Sequence, residues 1–442
     1  MKTTVPAVVL ILLGSMVFPA HVWAEDAASP SGPSRIPQQT TAVAVQGVWL
    51  TLDDLIAEVE RANPELRVAA HELRAMRERV RPAGAFPDPK VNFGQMNVGN
   101  IVPFTTLGEE GFSEVYVGIT QEFPFYGKRG LREKVAQKEA DAEFWVYELT
   151  RLRVLSDLKV AYYELFYWHQ ALETLQKDMR LLEQYSQIAS ALYKVGKGNQ
   201  ADVLRAQTEL SRLQDRIEVA EQHKEIAQAQ INAVLNRPAE SPLGRPAPVV
   251  KAPLPYAFED LLQLALDKFP LLRRQAEMIE SREYALRLAE KEKYPDFGLV
   301  FAYHNRGALR DYWTIGGTAR IPLYFGRKQK HEIQEADARL SSAREREESV
   351  RALLQFQVKD QYLAATTSDR LLHLFERTII PQETLTLEAT SASYEVGAID
   401  FLSVIDSLTK LLDDELRYYE HLTNYQKALA RLEPLVGVEL TH

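Results

Sequence analysis

Few residues of the types used in catalysis or metal binding occur at the spacings that these roles require. The nine histidines are scattered, without a second histidine or a cysteine at a metal-ligand spacing. The chain has no cysteine, which excludes disulfides, thiolate metal sites and cysteine nucleophiles. It also has no Gly-x-Ser-x-Gly, His-Glu-x-x-His, P-loop or Gly-x-Gly-x-x-Gly motif. We therefore predict neither an enzyme nor a resident metal or cofactor.

The charge balance separates this chain from nucleic-acid-binding proteins. Its 442 residues include 61 acidic and 52 basic side chains, for a net charge of −9, and no segment is strongly basic. We therefore expect no nucleic-acid partner. Mixed runs such as Arg344-Glu345-Arg346-Glu347-Glu348 are typical of a solvated helix face with i,i+4 partners.

The N-terminus has the layout of a secretory signal. Lys2 supplies the positive charge, an apolar run follows, and Val22 and Ala24 place compact residues before a cleavage point. We predict a cleaved signal peptide over 1–24, with an uncleaved anchor as the alternative, and a disordered leader over 25–51. Mean hydropathy is −0.25, and no later stretch of about 18 apolar residues follows. The exported protein is therefore not expected to be a bundle of membrane helices.

The rest of the chain repeats itself at a spacing of about 200 residues. Four short motifs occur in both halves in the same order: Leu52-Asp53-Asp54-Leu55 and Phe258-Glu259-Asp260-Leu261, Phe86-Pro87-Asp88 and Tyr294-Pro295-Asp296, Phe123-Pro124-Phe125-Tyr126-Gly127 and Ile321-Pro322-Leu323-Tyr324-Phe325-Gly326, Tyr193-Lys194-Val195-Gly196 and Tyr394-Glu395-Val396-Gly397. We predict two structural repeats, 52–237 and 258–437, with a proline-rich linker over 238–257 and a tail over 438–442.

Each repeat is predicted to contain a helix, two strands, a very long helix, a turn containing glycine, and a helix that runs back. The helices are expected near 53–81, 129–195 and 201–236 in the first repeat, and near 259–292, 328–394 and 402–433 in the second. Asn63-Pro64 suits a helix that restarts, and Pro381 is the only proline in the second long helix. At 1.5 Å per residue, the first long helix would span roughly 100 Å.

The helices and strands carry different apolar spacings. The helices repeat apolar residues at steps of three and four, as in Leu55, Val59, Ala62, Leu66, Ala69 and Leu73, which favours left-handed helix pairing. The strands alternate, with one side in the first repeat formed by Val115, Val117, Ile119 and Phe123. Such alternation over about 9–11 residues is typical of membrane-barrel strands, and a half-buried soluble sheet shows it too.

Four strands cannot close a barrel in one chain, and open strand edges are not tolerated in lipid. Three copies would supply twelve strands. The alternative without a barrel is a periplasmic coiled-coil scaffold or adaptor, which would share the signal peptide and the helix spacing. It would not require alternating strands at matched positions of two repeats.

With these duplicated motifs, the chain resembles the outer-membrane factor family, the TolC-like efflux ducts, from Leu52 to Gly437. The Tyr126-Gly127-Lys128-Arg129 step resembles the heavy-metal, CzcC-like branch. Many relatives carry a lipidated N-terminal cysteine, which this chain lacks, so no lipid anchor is implied.

The resemblance implies a mostly helical fold with a small β part, assembled as a homotrimer. A twelve-stranded barrel would cross the outer membrane, and a twelve-helix barrel would continue through the periplasm. The function would be a passive exit duct. An inner-membrane pump, working through a periplasmic membrane-fusion adaptor, would deliver the substrate, and the resemblance to the heavy-metal branch implies metal cations.

The turns at the ends of the long helices are the first candidate site. Gly196 and Gly397 suit the left-handed position that ends a helix, a role that requires no partner. The resemblance adds that these tips dock the adaptor, with Gly198 and Asp400 flanking the contact.

The resemblance also implies a gate at the same tips. The family's Tyr–Asp pair corresponds to Tyr394 and Asp202, and the family's two acids in the constriction ring correspond to Ser403 and Asp406. Ile399 stands where relatives often have arginine. We therefore expect a weakly cation-selective constriction, with ordinary polar residues near a helix start as the alternative for both aspartates.

Overall fold

The computed structural model describes residues 49–441, of which most are helical and a minority form one small sheet. This balance confirms the predicted fold class at the level of its elements. The predicted signal peptide over 1–24, and the predicted leader up to residue 48, lie outside the described residues. None of the described helices combines the length and the apolarity that crossing a membrane requires.

The first repeat opens with three short helices, α1 (Leu52–Ala62), α2 (Pro64–Glu78) and α3 (Val80–Gly84). The restart predicted at Asn63-Pro64 is confirmed. The Asn63 side chain accepts a hydrogen bond from the Leu66 N–H at 3.1 Å, which caps α2. The same side chain donates to the carbonyl of Val234 at 2.8 Å, so the break also ties this helix pair to the returning helix.

The second repeat opens in the same way with α6 (Phe258–Lys268) and α7 (Pro270–Lys291). Here the break falls at Phe269, whose side chain has no acceptor and makes no cap. Proline at the first turn of α7 is tolerated because its missing N–H would have no partner inside the helix.

The long helices of the two repeats differ. In the first repeat α4 (Lys128–Lys194) runs unbroken for 67 residues, and α5 (Gln200–Val234) returns beside it. In the second repeat the expected single helix is wrong. Its parts are α8 (Gln329–Leu374), a π-helical turn (Phe375–Ile379) and α9 (Ile380–Glu395), after which α10 (Phe401–Val436) returns.

Pro381 explains the interruption of the second long helix. It lies in the first turn of α9, has no N–H to donate, and its ring would clash with the carbonyl four residues earlier in a regular helix. The preceding residues widen into a π-helical turn, a known response to such a conflict. The chain therefore stays helical from α8 to α9, with one local change of hydrogen-bond pattern.

The four strands form a single antiparallel sheet in the order β1-β2-β3-β4. Their bounds are β1 (Lys90–Met96), β2 (Glu114–Phe123), β3 (Asp296–Asn305) and β4 (Tyr312–Arg320). β2 from the first repeat pairs with β3 from the second, so the two hairpins are neighbours. Each outer strand, β1 and β4, has one side without a pairing strand among residues 49–441.

α4 is the common neighbour of the helical part and packs against α5, α7 and α10. Near the sheet, Lys138 of α4 bridges Glu277 and Glu280 of α7 at 2.8 Å each. Far from the sheet, α4, α5 and α10 share an apolar core that includes Leu175, Leu213 and Leu408. These contacts hold the two hairpins of long helices side by side.

The last described residues are held against the helices. The Glu433 carboxylate accepts hydrogen bonds from the N–H groups of Leu440 at 2.9 Å and Thr441 at 2.7 Å. Its other oxygen pairs with buried Lys159 of α4 at 2.7 Å. Leu440 and Thr441 are buried, so this part of the segment expected as a tail packs on the helical body.

Candidate functional site

One face of the sheet is apolar and exposed across all four strands. The cross-strand register places Val91, Ile119, Phe301 and Ile315 in one row. Ile119 is 44% exposed and Ile315 is 75% exposed, although both are large apolar residues in regular strands. The neighbouring row contains Phe93, Val117, Tyr303 and Trp313. A continuous exposed apolar face of this kind fits contact with lipid.

The opposite face of the sheet is polar. Asn92 donates a hydrogen bond to the Thr120 hydroxyl at 2.7 Å, and Lys90 pairs with Glu122 at 2.6 Å. The side chains predicted to form the polar side of the strands therefore contact one another between neighbouring strands. A sheet with one apolar exposed face and one polar face has the composition of a membrane-barrel wall.

A cluster of polar side chains surrounds His304 on the polar face, at the end of the sheet away from the helices. His304 contacts the Glu114 carboxylate at 2.9 Å and the Thr314 hydroxyl at 3.0 Å. Its ring stacks on Tyr312 with centroids 4.5 Å apart. The sequence analysis missed this cluster, because its members come from three strands and have no fixed spacing in the chain.

A buried ion pair joins the sheet to α4. Lys128, the first residue of α4, is 1% exposed, and its ammonium contacts Asp296 and Glu292 at 2.9 Å each. Asp296 also accepts a hydrogen bond from the Phe125 N–H at 2.9 Å, and the Phe125 ring stacks on Tyr294 at 4.6 Å. Phe125, Tyr294 and Asp296 lie in the duplicated motifs, but the motifs alone do not predict that the end of β2 contacts the start of β3.

The two helix tips have the same backbone structure. Gly196 and Gly397 have φ of 72° and 74°, the left-handed conformation predicted for both. At the first tip Lys197 donates its N–H to the Leu192 carbonyl at 2.9 Å, and at the second Ala398 donates to Ser393 at 2.9 Å. This pairing, two residues past the cap, is the Schellman arrangement.

The tips expose apolar side chains that the sequence analysis did not single out. Val195 is 68% exposed and Val396 is 80% exposed, each directly before its glycine. Gly198 is closely packed, since a Cβ there would approach the Tyr193 nitrogen to 2.9 Å. Asp400 is the exposed residue before α10 and makes no side-chain cap. The docking role of these residues stays a prediction.

The hydrogen bond expected between Tyr394 and Asp202 is not formed in this structure. The Tyr394 ring is buried against Phe401, with centroids 5.1 Å apart, and its hydroxyl has no hydrogen-bond partner. Asp202 instead lies 3.9 Å from Arg205 on the same helix. Burial, and then the Asp202 charge, raise the pKa of Tyr394, so the two groups act on each other through space. Their role in a gate stays a prediction.

The two predicted constriction residues differ in charge and pairing. Ser403 is exposed in the first turn of α10. The exposed Asp406 carboxylate pairs with Lys410, one turn later, at 2.8 Å. The i,i+4 spacing of Asp406 and Lys410 is one that favours such a pair on a helix. This lysine reduces the negative potential that Asp406 alone would provide.

A second acid, Asp178 of α4, was not recognised from the sequence. Its side chain is 4% exposed and one of its carboxylate oxygens has no hydrogen-bond partner. It borders a cavity of about 40 Å³ lined also by Leu182, Leu213 and Leu412. Burial, and then the charge of Glu415, raise the pKa of Asp178 to about 7. The residue therefore changes charge near neutral pH.

Within residues 49–441, no three His, Asp or Glu side chains gather in an arrangement that would hold a metal ion. The described residues form a two-faced sheet with open edges, two hairpins of long helices, and two matching tips.

Known proteins resemble the chain in both sequence and fold. It is 22% identical over 412 residues to the cobalt-zinc-cadmium resistance protein CzcC of Cupriavidus metallidurans, covering 88% of this chain and 90% of CzcC. It is 26% identical over 251 residues to Protein CyaE of Bordetella pertussis, covering 53% of this chain and 52% of CyaE. This second match thus spans about half the length of that relative.

Solved structures share the fold at low sequence identity. CusC, described as forming a transmembrane channel, has a TM-score of 0.78 and 17% identity, covering 93% of this chain and 99% of CusC. The outer membrane protein VceC of Vibrio cholerae has a TM-score of 0.75 and 17% identity, covering 88% of this chain and 96% of VceC. The sequence model described as outer membrane efflux protein matches residues 55–237 and 261–438. The chain belongs to the outer membrane efflux protein family.

Proposed function

We propose that this efflux channel is a homotrimer in the outer membrane that serves as a passive exit duct without catalytic activity. The observation that supports it most is the exposed apolar face of a sheet whose two edges have no pairing strand in the described part of the chain. Unpaired backbone groups are not tolerated in lipid. Three copies joined edge to edge would give a closed barrel of twelve strands, with the polar faces toward the lumen.

The helices would continue the duct below the membrane. Each copy would contribute two hairpins of long helices, so that three copies form a twelve-helix wall. Residues 52–237 and 258–437 would be its two repeats, with 238–257 as the linker and a cleaved signal peptide over 1–24 for export. The roughly 100 Å length of α4 suits a periplasmic passage.

The tips would be the working end of the duct. An inner-membrane pump would deliver substrate through a periplasmic membrane-fusion adaptor that docks at Gly196, Gly397 and their neighbours Gly198 and Asp400. Exposed Val195 and Val396 favour such docking, since exposed apolar side chains are stabilised when a partner covers them. Tyr394, Asp202, Ser403 and Asp406 would line the gate beside it.

The transported substrate would be divalent metal cations. CzcC, which aligns with most of this chain, is described as a cobalt-zinc-cadmium resistance protein. The selection of metal would rest with the pump, and the duct would supply only a closed wall and a gate.

Fractionation, size analysis and a transport assay together test this function. The full chain, expressed with its own leader, should be recovered from the outer membrane only with detergent, at the mass of three copies. A strain lacking its own duct should accumulate less cadmium when the chain is restored with its pump and adaptor. Recovery as a detergent-free periplasmic protein would instead support the coiled-coil scaffold. An outer-membrane trimer that leaves cadmium, zinc and cobalt levels unchanged would contradict only the substrate.

A further inference from the structure

We propose that the open edge of β4 pairs with the open edge of β1 of a second copy in one defined register, in which Thr318 lies opposite Asn92. The same contact brings Asp88 to Arg327 and Lys328 of the other copy. The inference rests on the trimer proposed above and specifies the surface through which its copies join.

The register follows from an equivalence between the two hairpins. The duplicated motifs align Asp88 with Asp296, 208 positions later, and Phe123 with Ile321, 198 positions later. Phe93 and Val117 are partners in the first hairpin. Adding 208 to Phe93 gives Phe301, and adding 198 to Val117 gives Ile315. Those residues are partners in the second hairpin, so the motif alignment holds at the level of strand register.

The observed contact between the repeats then serves as the template for the contact between copies. β2 pairs with β3 so that Thr120 lies opposite Val300. Adding 198 to Thr120 gives Thr318 on β4, and subtracting 208 from Val300 gives Asn92 on β1. All seven residues of β1 obtain partners within β4, so no backbone position of β1 is left over.

The side chains agree with this register on both faces of the sheet. Asn92 and Thr318 both lie on the polar face, where Asn92 already donates to the Thr120 hydroxyl at 2.7 Å. On the apolar face, Phe93, which is 83% exposed, would lie opposite Gly317, and an aromatic ring can cover a strand glycine. A shift by one residue would place polar side chains on the lipid face.

The strand ends supply a second, electrostatic contact. Inside one chain the end of β2 meets the start of β3, and the buried Lys128 ammonium contacts Asp296 at 2.9 Å. The equivalents at the outer edges are Asp88 and the basic pair Arg327-Lys328. All three side chains are exposed and none has an ion-pair partner within residues 49–441. Antiparallel pairing of β4 with β1 brings these ends together.

Disulfide mapping tests the register directly, because the chain has no cysteine of its own. Asn92→Cys with Thr318→Cys should give covalent trimers after mild oxidation, seen on non-reducing gels and lost on reduction. The matched control is Lys90→Cys with Thr318→Cys, on the same face but two residues away. Its Cα separation, about 7–8 Å, exceeds disulfide reach, so we expect at least tenfold less covalent trimer.

The same samples separate failure of the register from failure of the trimer. Their mass in detergent is measured before oxidation. A trimer in which the Lys90 control cross-links as well as the Asn92 pair would overturn the register and leave the proposed function intact. A monomeric mass would overturn both.

Charge reversal tests the contact at the strand ends. Asp88→Arg should lower the fraction of trimer that survives mild heating severalfold, because it faces two cations. Combining it with Arg327→Glu and Lys328→Glu should restore most of that fraction. If the combined variant is no more resistant than Asp88→Arg, Asp88 does not contact the basic pair.

Discussion

At the residue scale, the buried polar side chains differ in whether they have hydrogen-bond or ion-pair partners. Lys128 is buried, yet it has two carboxylates and a backbone carbonyl as partners. Asp178 and Tyr394 are buried with a polar atom that has none. Burial without a partner costs about 1–3 kcal/mol for a neutral group and more for a charge. Substitution of Asp178 or Tyr394 therefore tests the effect of a buried polar atom that has no partner.

We expect the stability of the folded chain to depend on pH through Asp178. Its pKa in the folded chain is about 7, above the value of about 3.9 expected when it is unfolded. The stability linked to its protonated form is fully present below about pH 4 and is lost as pH rises toward 7. Asp178→Asn should therefore increase the free energy of unfolding at pH 8 by up to ~4 kcal/mol. The thermal midpoint of detergent-solubilised protein should rise at pH 8 and change little at pH 4.

Asp413 provides the control for this pH dependence. It lies in the same region of the helices but is half exposed and pairs with Arg216 at 2.9 Å. Asp413→Asn should not stabilise the protein at pH 8. Equal midpoints for wild type and Asp178→Asn at pH 8 would show that Asp178 is ionised there without cost.

The partnerless Tyr394 hydroxyl bears on the gate. Asp202 is the acid whose charge acts on this tyrosine, so we expect the closed trimer to join the two by a hydrogen bond of about 1 kcal/mol. Tyr394→Phe and Asp202→Ala should each raise single-channel conductance in a planar bilayer severalfold, by shifting the closed–open balance. The double variant should add little to either single one.

Two outcomes would contradict the prediction that Tyr394 and Asp202 form a gate pair. Unchanged conductance in Tyr394→Phe would mean that the hydroxyl stays unpaired in the trimer, as it is in the single chain. Additive effects of the two substitutions would mean that each residue acts separately.

The exposed isoleucines test the lipid face. Ile119→Arg or Ile315→Arg at the middle of the membrane should cost ~2–4 kcal/mol, and the yield of trimer in the outer membrane should fall. Thr120→Arg, one residue along β2 and on the polar face, should cost much less. Equal losses in all three variants would contradict the assignment of the two faces.

At the element scale, the repeats use the same local signals to build the same parts. The helix restart at Asn63-Pro64, the strand alternation and the glycine tips could be predicted because each depends on residues close together in the chain. The π-helical turn could not, because Pro381 is compatible with a kink, a break or a widened turn, and packing selects among them.

The tips should be required for transport and not for assembly. A Cβ at Gly196 or Gly397 would meet open space, but the left-handed backbone there strains any other residue. Gly196→Trp or Gly397→Trp should leave the yield of trimer near normal, because the tips are remote from the sheet, and should abolish export of the transported cation. Leu204→Trp, on an exposed face of α5 behind the tip, is the control. Full export by both glycine variants would remove the tips from the docking surface.

At the scale of the whole molecule, contacts between the repeats were the least predictable from sequence. Lys128 and Asp296 both lie in quoted motifs, but 168 positions separate them, and the sequence alone does not say which motif meets which. The Tyr394–Asp202 pair poses a similar problem. The Tyr394 ring packs against Phe401 in the single chain, a contact that no local spacing encodes, and the role of the pair in a gate stays a prediction.

We expect the π-helical turn at Phe375–Ile379 to make the two long helices unequal in bending stiffness. α4 is unbroken over 67 residues, whereas α8 and α9 are joined by a turn in which the regular α-helical hydrogen bonds are replaced, and such a turn would act as a hinge. In a ring of three copies, rigid and hinged columns would alternate around the axis. Widening of the tip end would then begin at three of its six hairpins. Spin labels on the three tips between α9 and α10 should report broader distance distributions than labels on the tips between α4 and α5.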